Sequence, residues 1–175
     1  MKVEVRISGL GGQGVILAGQ ILGRAAVYDG KNAVQTQSYG AEARGSAAKS
    51  EVTTSDDKIG FPVVRKCDIL VAMSQEAVEK NVKDLKEDGI LLVDSLMVKN
   101  VPKVKARVFK VPATEVAEKS FQAKIYANMI MLGTLTKISN IVSKSSVERA
   151  IRETVPKRTI ITNIQAYKKG AESSI

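Results

Sequence analysis

A short alternating run, Val3-Glu4-Val5-Arg6-Ile7-Ser8, leads straight into Gly9-Leu10-Gly11-Gly12-Gln13-Gly14, and a helix-patterned stretch from Val15 to Ala26 follows. Strand, tight turn, helix is the first half of a crossover unit, and chains that begin this way usually build a parallel sheet. Glycine has no Cβ, so the chain can reverse sharply and bring its N–H groups close to a ligand. The helix behind adds unpaired N–H groups and the positive end of its dipole, a combination that suits a phosphate or carboxylate. Gly9, Gly11, Gly12, Gln13 and Gly14 are therefore candidate anion-binding residues. The plainer use of the same glycines is close packing of the strand against the helix.

A glycine-rich turn of this kind often serves a nicotinamide dinucleotide, which also needs a carboxylate for the ribose roughly 20 residues on, at the end of the second strand. The second strand here is expected at Ala33 to Ser38, and it carries none. Asp29 has suitable spacing but sits in Tyr28-Asp29-Gly30, a helix-ending turn. Dinucleotide binding is disfavoured on that ground. The connection after the second strand, Ser38-Tyr39-Gly40-Ala41-Glu42-Ala43-Arg44-Gly45, brings a phenol, a carboxylate and a guanidinium together. Lying beyond the C-terminal end of a parallel strand, it should stand beside the glycine turn, where open α/β sheets bind ligands. Ser38, Tyr39, Gly40, Glu42, Arg44 and Gly45 join the candidate site, with Arg44 able to make a forked contact to an anion. Alternatively, Glu42 and Arg44 form only a surface ion pair.

Further on, strands and helices alternate. Cys67 to Met73 and Ile90 to Asp94 read as buried parallel strands, being short, apolar and β-branched. Ser74-Gln75-Glu76 caps a helix from Ala77 to Leu85, and Asp88-Gly89 marks a turn. Ala106 to Val111 alternates like a strand, and Pro112 precedes a helix from Ala113 to Ser120. The run Ile125 to Leu135 is apolar nearly all round, which implies a buried helix or a contact with a partner. Ser145-Ser146-Val147-Glu148 matches a capping box for a helix to Val155, and Thr159 to Lys169 forms a last helix ended by Gly170. The series predicts a single domain over residues 1–175, a three-layer α/β/α sandwich with a Rossmann-like, mostly parallel sheet and a helical final third.

Composition narrows the chemistry. The chain has 175 residues, a hydrophobic content of 44% and no histidine, which removes the commonest general base and metal ligand. Cys67 is its single cysteine, whereas iron–sulfur clusters are normally held by four thiolates. The excess of 27 Lys and Arg over 18 Asp and Glu gives a formal charge of +9. Such charge can steer anions or acidic partners. The basic residues are dispersed and aromatics make up only 4%, so nucleic acid is a poor fit. No apolar run approaches the roughly 20 residues of a membrane span, and the N-terminus alternates charged and β-branched residues, unlike a signal peptide.

Gly9 to Gly14 with Val15-Ile16-Leu17-Ala18-Gly19, then Ser38 to Gly45, Ser50-Glu51-Val52 and Asp68 to Met73, make the chain resemble the gamma subunit of 2-oxoacid:ferredoxin oxidoreductases, closest to the 2-oxoglutarate branch. The resemblance runs over essentially the whole chain; many relatives place a second glycine where this chain has Ser46. It implies the same α/β architecture and a subunit role in oxidative decarboxylation of 2-oxoglutarate to succinyl-CoA with reduction of ferredoxin, or the reverse. It implies alpha and beta partners, in some enzymes also a delta subunit, and contact with ferredoxin through the complex. Thiamine diphosphate, magnesium and iron–sulfur clusters would lie on those partners, with coenzyme A the ligand within this chain's reach. The isolated chain would have no catalytic residue and no activity, and the location would be cytoplasmic. Subunits for other 2-oxoacids, a stand-alone nucleotide-binding reductase and a pure assembly module are the alternatives.

Overall fold

The computed structural model describes residues 1–41 and 45–174. Its sheet has six strands: β1 (Lys2–Leu10), β2 (Asn32–Tyr39), β3 (Ala47–Ser55), β4 (Cys67–Ala72), β5 (Leu85–Asp94) and β6 (Arg107–Val111), in the order β2-β3-β1-β4-β5-β6. Strands β1, β4, β5 and β6 pair in parallel, while β3 runs antiparallel to both β1 and β2. Among the described residues there are six α-helices: α1 (Val15–Tyr28), α2 (Gln75–Asn81), α3 (Ala113–Phe121), α4 (Ala127–Ser139), α5 (Lys144–Thr154) and α6 (Ile160–Ala171).

The pleat explains the layers. Ile69 and Val71 of β4, with Ile90 and Leu92 of β5, face one core, which α1, α3, α4, α5 and α6 cover. Leu70, Ala72, Leu91 and Val93 face a smaller core closed by Ala77 and Val78 of α2 and by Val64, Val98 and Ala106 from loops. Strands buried on both faces read as continuous apolar runs, which is why the sequence displays them plainly. Centrally placed β1 differs: Val5 and Ile7 enter the large core, but its other face buries Arg6 and Ser8. Arg6 donates to Asp84 (2.7 Å), Asn81 (3.3 Å) and the Val64 carbonyl (3.1 Å), and Asn81 donates to Ser8 (3.1 Å), which pins α2 to the strand. Burial opposes the Arg6 charge, but the Asp84 hydrogen bond and the Glu51 and Asp84 carboxylates outweigh it and raise its pKa.

Four local expectations need correction. The helix after Ser74 is α-helical to Asn81 and continues as a 3-10 turn over Val82–Asp84, and the chain re-enters the sheet at Leu85. Asp88-Gly89 makes no loop; between the pairs Cys67↔Leu85 and Ile69↔Ile90 the surplus residues bulge from β5. The N-cap of α5 is Ser143, not Ser145, because Asp29 anchors Ser143 and leaves its hydroxyl to accept from the Ser146 N–H. Gly170 lies inside α6, where it lets the backbone press against Ile130 of α4, opposite a matching contact of Gly133 with Tyr167. That contact also decides the apolar run: residues 127–136 are buried within the chain, and only Ile125 before them is open to a partner, at 47% exposure.

Candidate functional site

At the C-terminal edge of the sheet, α1 leaves β1 toward one face and α2 leaves β4 toward the other, which makes the gap between β1 and β4 a topological switch point. The glycine turn occupies it. Gly11 donates to the Ser46 carbonyl (2.8 Å), so Ser46, just before β3, comes against the turn. Gly12 (φ 91°) and Gly14 (φ 74°) both take left-handed conformations that an L side chain resists. Gly14 is the N-cap of α1 and, lacking a side chain, leaves the first turn uncapped. Among the described residues, the N–H groups of Gly12, Gly14, Val15 and Ile16 have no acceptor. These are the orphan donors of a helix N-terminus, aimed outward.

Gln13 corrects an expectation. Its side chain folds inward, accepting from the Leu10 N–H (2.6 Å) and donating to the Met73 carbonyl (2.9 Å), so it ties the ends of β1 and β4 together. The amide oxygen and one amide N–H are thus engaged within the turn. Gly9 likewise lies in β1 opposite Ala48, and the space a side chain would fill holds the Gln13 carbonyl oxygen. The missing side chain at Gly9 gives Gln13 the room to fold inward.

Of the second segment, Tyr39 lies 61% exposed at the end of β2 and borders the turn. Ser38 pairs with Lys49 in the β2–β3 register. It alternates with Tyr39 along the strand and so points to the sheet's opposite face. Gly40 donates to Ala47 (2.6 Å) and closes the β2–β3 connection, in which Gly45 also has positive φ. Glu42 and Arg44 lie outside the described residues. Asp29 is far from the site, joined to α5, and β2 carries no carboxylate for a ribose.

Two cavities adjoin the turn. One of about 270 Å³ lies between Gly12, Ile16, Tyr39 and Ile125, and one of about 300 Å³ between Gly12, Met73, Met97, Thr114 and Lys124. Residues that periodicity did not single out shape both. Asn128, buried in α4, donates to the Gly14 carbonyl (3.1 Å) and fixes the α1 N-terminus. Its one visible signal is a lone amide in an otherwise apolar run. Asp94, fully buried at the end of β5, accepts from Thr114 Oγ1 (2.5 Å), Thr114 N (3.1 Å) and Leu96 N (3.1 Å), which sets the start of α3 beside the second cavity. Burial raises its pKa above the ordinary carboxylate value although these hydrogen bonds pull it down. Cys67 is buried in the smaller core and its thiol is pushed up to about 11, mainly by that burial. It is an inert structural thiol.

A family model described as pyruvate ferredoxin/flavodoxin oxidoreductase matches residues 4–173. The chain belongs to this family. It is 54% identical to the 2-oxoglutarate synthase subunit KorC of Methanocaldococcus jannaschii, covering 98% of this chain and 94% of that one. Its structure superposes on a keto/oxoacid ferredoxin oxidoreductase gamma subunit from Geobacter sulfurreducens with a TM-score of 0.87 and 43% identity, covering 97% and 96% of the two chains. The same fold recurs at 23% identity, with a TM-score of 0.88, in a 2-oxoglutarate:ferredoxin oxidoreductase from Magnetococcus marinus with 2-oxoglutarate, coenzyme A and succinyl-CoA bound. There the match spans 97% of this chain but 30% of the other, so in that protein the unit is one part of a longer polypeptide.

Proposed function

We propose that this chain is the gamma subunit of a multi-subunit 2-oxoglutarate:ferredoxin oxidoreductase. In that reaction 2-oxoglutarate loses carbon dioxide, its remaining acyl group passes to coenzyme A, and the electron pair released reduces ferredoxin; the reverse runs the same steps backward. The observation that carries the reading is the 54% identity to a 2-oxoglutarate synthase subunit over nearly the full length of both chains. Alpha and beta subunits, in some enzymes with a delta subunit, would be the direct partners, with ferredoxin meeting the assembly. The location proposed is the cytoplasm; among the described residues no helix is long and apolar enough to cross a membrane.

The residues present do not fit the redox cofactors. One buried thiol cannot replace the four thiolates of a cluster. Among the described residues no group of three or more His, Cys, Asp or Glu side chains stands ready for a metal. We infer that thiamine diphosphate with its magnesium, and the iron–sulfur clusters, belong to the partner chains, and no step runs through them here.

Coenzyme A fits better. The uncapped N–H groups at Gly12, Gly14, Val15 and Ile16 can donate to a phosphate oxygen, and the α1 dipole favours its charge. Gly12 leaves the approach open, since a Cβ there would meet nothing within 4 Å. Gln13 and Asn128 hold the turn rigid, so these donors need little rearrangement on binding. The chain's contribution is to bind and orient.

The test is reconstitution with the partner subunits. The chain alone should reduce no ferredoxin, and the full complex should do so with 2-oxoglutarate and coenzyme A. Turnover of pyruvate in preference to 2-oxoglutarate would refute the substrate assignment. Gly12→Asp places a carboxylate at the open approach and should raise the KM for coenzyme A at least tenfold, while coenzyme A-independent decarboxylation survives. An unchanged KM in an assembled Gly12→Asp complex would refute the phosphate role.

A further inference from the structure

The sheet has two edges, and they are built differently. β6 is five residues long and carries Arg107 and Lys110. Short length and charged side chains are the usual means of keeping an edge from pairing with another chain. β2 has eight residues, Asn-Ala-Val-Gln-Thr-Gln-Ser-Tyr, with no charge, proline or glycine. Its register with β3 runs unbroken from Asn32↔Ser55 to Tyr39↔Ala48, so no bulge twists it away. Residues 36–39 are exposed. Among the described residues nothing pairs with the outer backbone groups of β2. An open edge of this length without protection is what a partner strand would use.

Beside that edge runs α1, and between the two lies a groove of about 390 Å³. Ala33 and Gln35 of β2 form one wall and Gln20, Arg24 and Val27 of α1 the other. Gly23 keeps the floor low: a Cβ there would meet only Val52, at 3.9 Å. Val27 is 54% exposed, an apolar side chain offered to a groove that nothing among the described residues fills. A helix flanking an open strand edge is the arrangement by which extended segments bind through strand addition. The backbone ladder supplies affinity, and alternate side chains dropping into the groove supply specificity.

We propose that β2 accepts an extended segment of another subunit of the oxidoreductase, which adds as a seventh strand and sends an apolar side chain into the α1–β2 groove. The chemistry of that segment is uncharged to acidic. The chain carries a net +9, and Arg24 presents an exposed cation at the groove wall, so a carboxylate on the incoming strand is attracted whereas a second copy brings a second +9. The inference rests on the chain acting within a multi-subunit enzyme. It is independent of what the glycine turn binds.

Hydrogen exchange on the isolated full-length chain and on the assembled complex tests this directly. Amides of residues 33–38 should exchange at least tenfold more slowly in the complex. Two variants probe the contact: Thr36→Lys puts a cation on the open strand, and Gly23→Gln fills the groove floor from a helical position that tolerates a longer side chain. Both should keep the melting temperature of the isolated chain and raise the Kd for assembly at least tenfold. A complex in which β2 exchanges as fast as in the free chain, or wild-type assembly by both variants, would overturn the proposal while leaving the subunit reading standing. Failure of the wild-type chain to form any complex would overturn both. Protection of β2 in the isolated chain, with a dimer in sedimentation, would give the edge to a second copy and also overturn it.

Discussion

Three neighbouring glycines sit in different surroundings, and alanine at each should separate what the turn needs. At Gly11 an added Cβ would lie 3.5 Å from the Ser46 carbonyl, an ordinary contact, with no positive φ to oppose it. Gly11→Ala should therefore change stability by about 0.5 kcal/mol or less. At Gly12 the space is open but φ is 91°, and forcing an L residue into the left-handed region costs about 1–2 kcal/mol. Gly14→Ala bears the same backbone cost at φ 74° and drives its Cβ into the Asn128 amide. Losing the Asn128 hydrogen bond to the Gly14 carbonyl adds about 1 kcal/mol, and the overlap brings the total to about 2–4 kcal/mol. For a chain of this length each kcal/mol moves Tm by about 2–4 °C. Scanning calorimetry of the isolated chain should then show almost no shift for Gly11→Ala, a modest fall for Gly12→Ala and a fall of roughly 5–15 °C for Gly14→Ala. A double-mutant cycle isolates the cause: with Asn128→Ala already present, Gly14→Ala should cost no more than Gly12→Ala. Equal melting temperatures for the Gly11 and Gly14 variants, or strict additivity in the cycle, would refute this account of the turn.

Two further outcomes rest on packing and on charge. Gly133→Ala places a Cβ against the Tyr167 carbonyl and the Ala171 N–H where α4 meets α6, so it should destabilise by about 1–3 kcal/mol despite alanine's better helix propensity; an unchanged urea midpoint would show that the helices can separate freely. Asp29 accepts from Ser143 N, Ser143 Oγ and Ser146 Oγ, each at 2.6 Å, and although burial works the other way these bonds lower its pKa. A lowered folded-state value means stability that is present above the unfolded carboxyl pKa of about 3.9 and lost as pH falls through the folded value. Asp29→Asn should thus lower Tm by a few degrees, about 1 kcal/mol after solvent screening, at pH 6 to 8, and the gap to the wild type should close in acid. A gap that persists unchanged at pH 2.5 would assign the effect to something other than the carboxylate charge.

Local order explains what could be read from the residues. The alternation of Val3 to Ser8, the glycines after it and the apolar period of α1 act within a few residues of one another, and periodicity reports such short-range preferences faithfully. Cys67–Ala72 and residues 90–94 were legible because burial on both faces demands unbroken apolar runs. The approach of Ser46 to the glycine turn was also foreseeable, since the connection after β2 and the turn both follow the carboxyl ends of strands that run the same way.

Contacts between distant residues decided the rest. Whether Gln13 faces a ligand or turns inward depends on the Met73 carbonyl sixty positions away. Asn128 became a clamp on Gly14 only when α4 crossed the start of α1. Ser143 rather than Ser145 caps α5 because Asp29, at the end of α1, reaches it first. Gly170 reads as a helix stop from its neighbours alone, yet inside the fold it is the surface on which α4 rests. The antiparallel course of β3, which leaves β2 as an open edge, was likewise set by pairing and not by composition. The sequence by itself determined the alternation of elements and the glycine turn, because those follow from dihedral preference and hydrophobic period. Tertiary structure alone decided which polar side chains brace that turn and which donors stay free, because a hydrogen-bonding group takes whichever partner the packed chain brings within about 3 Å.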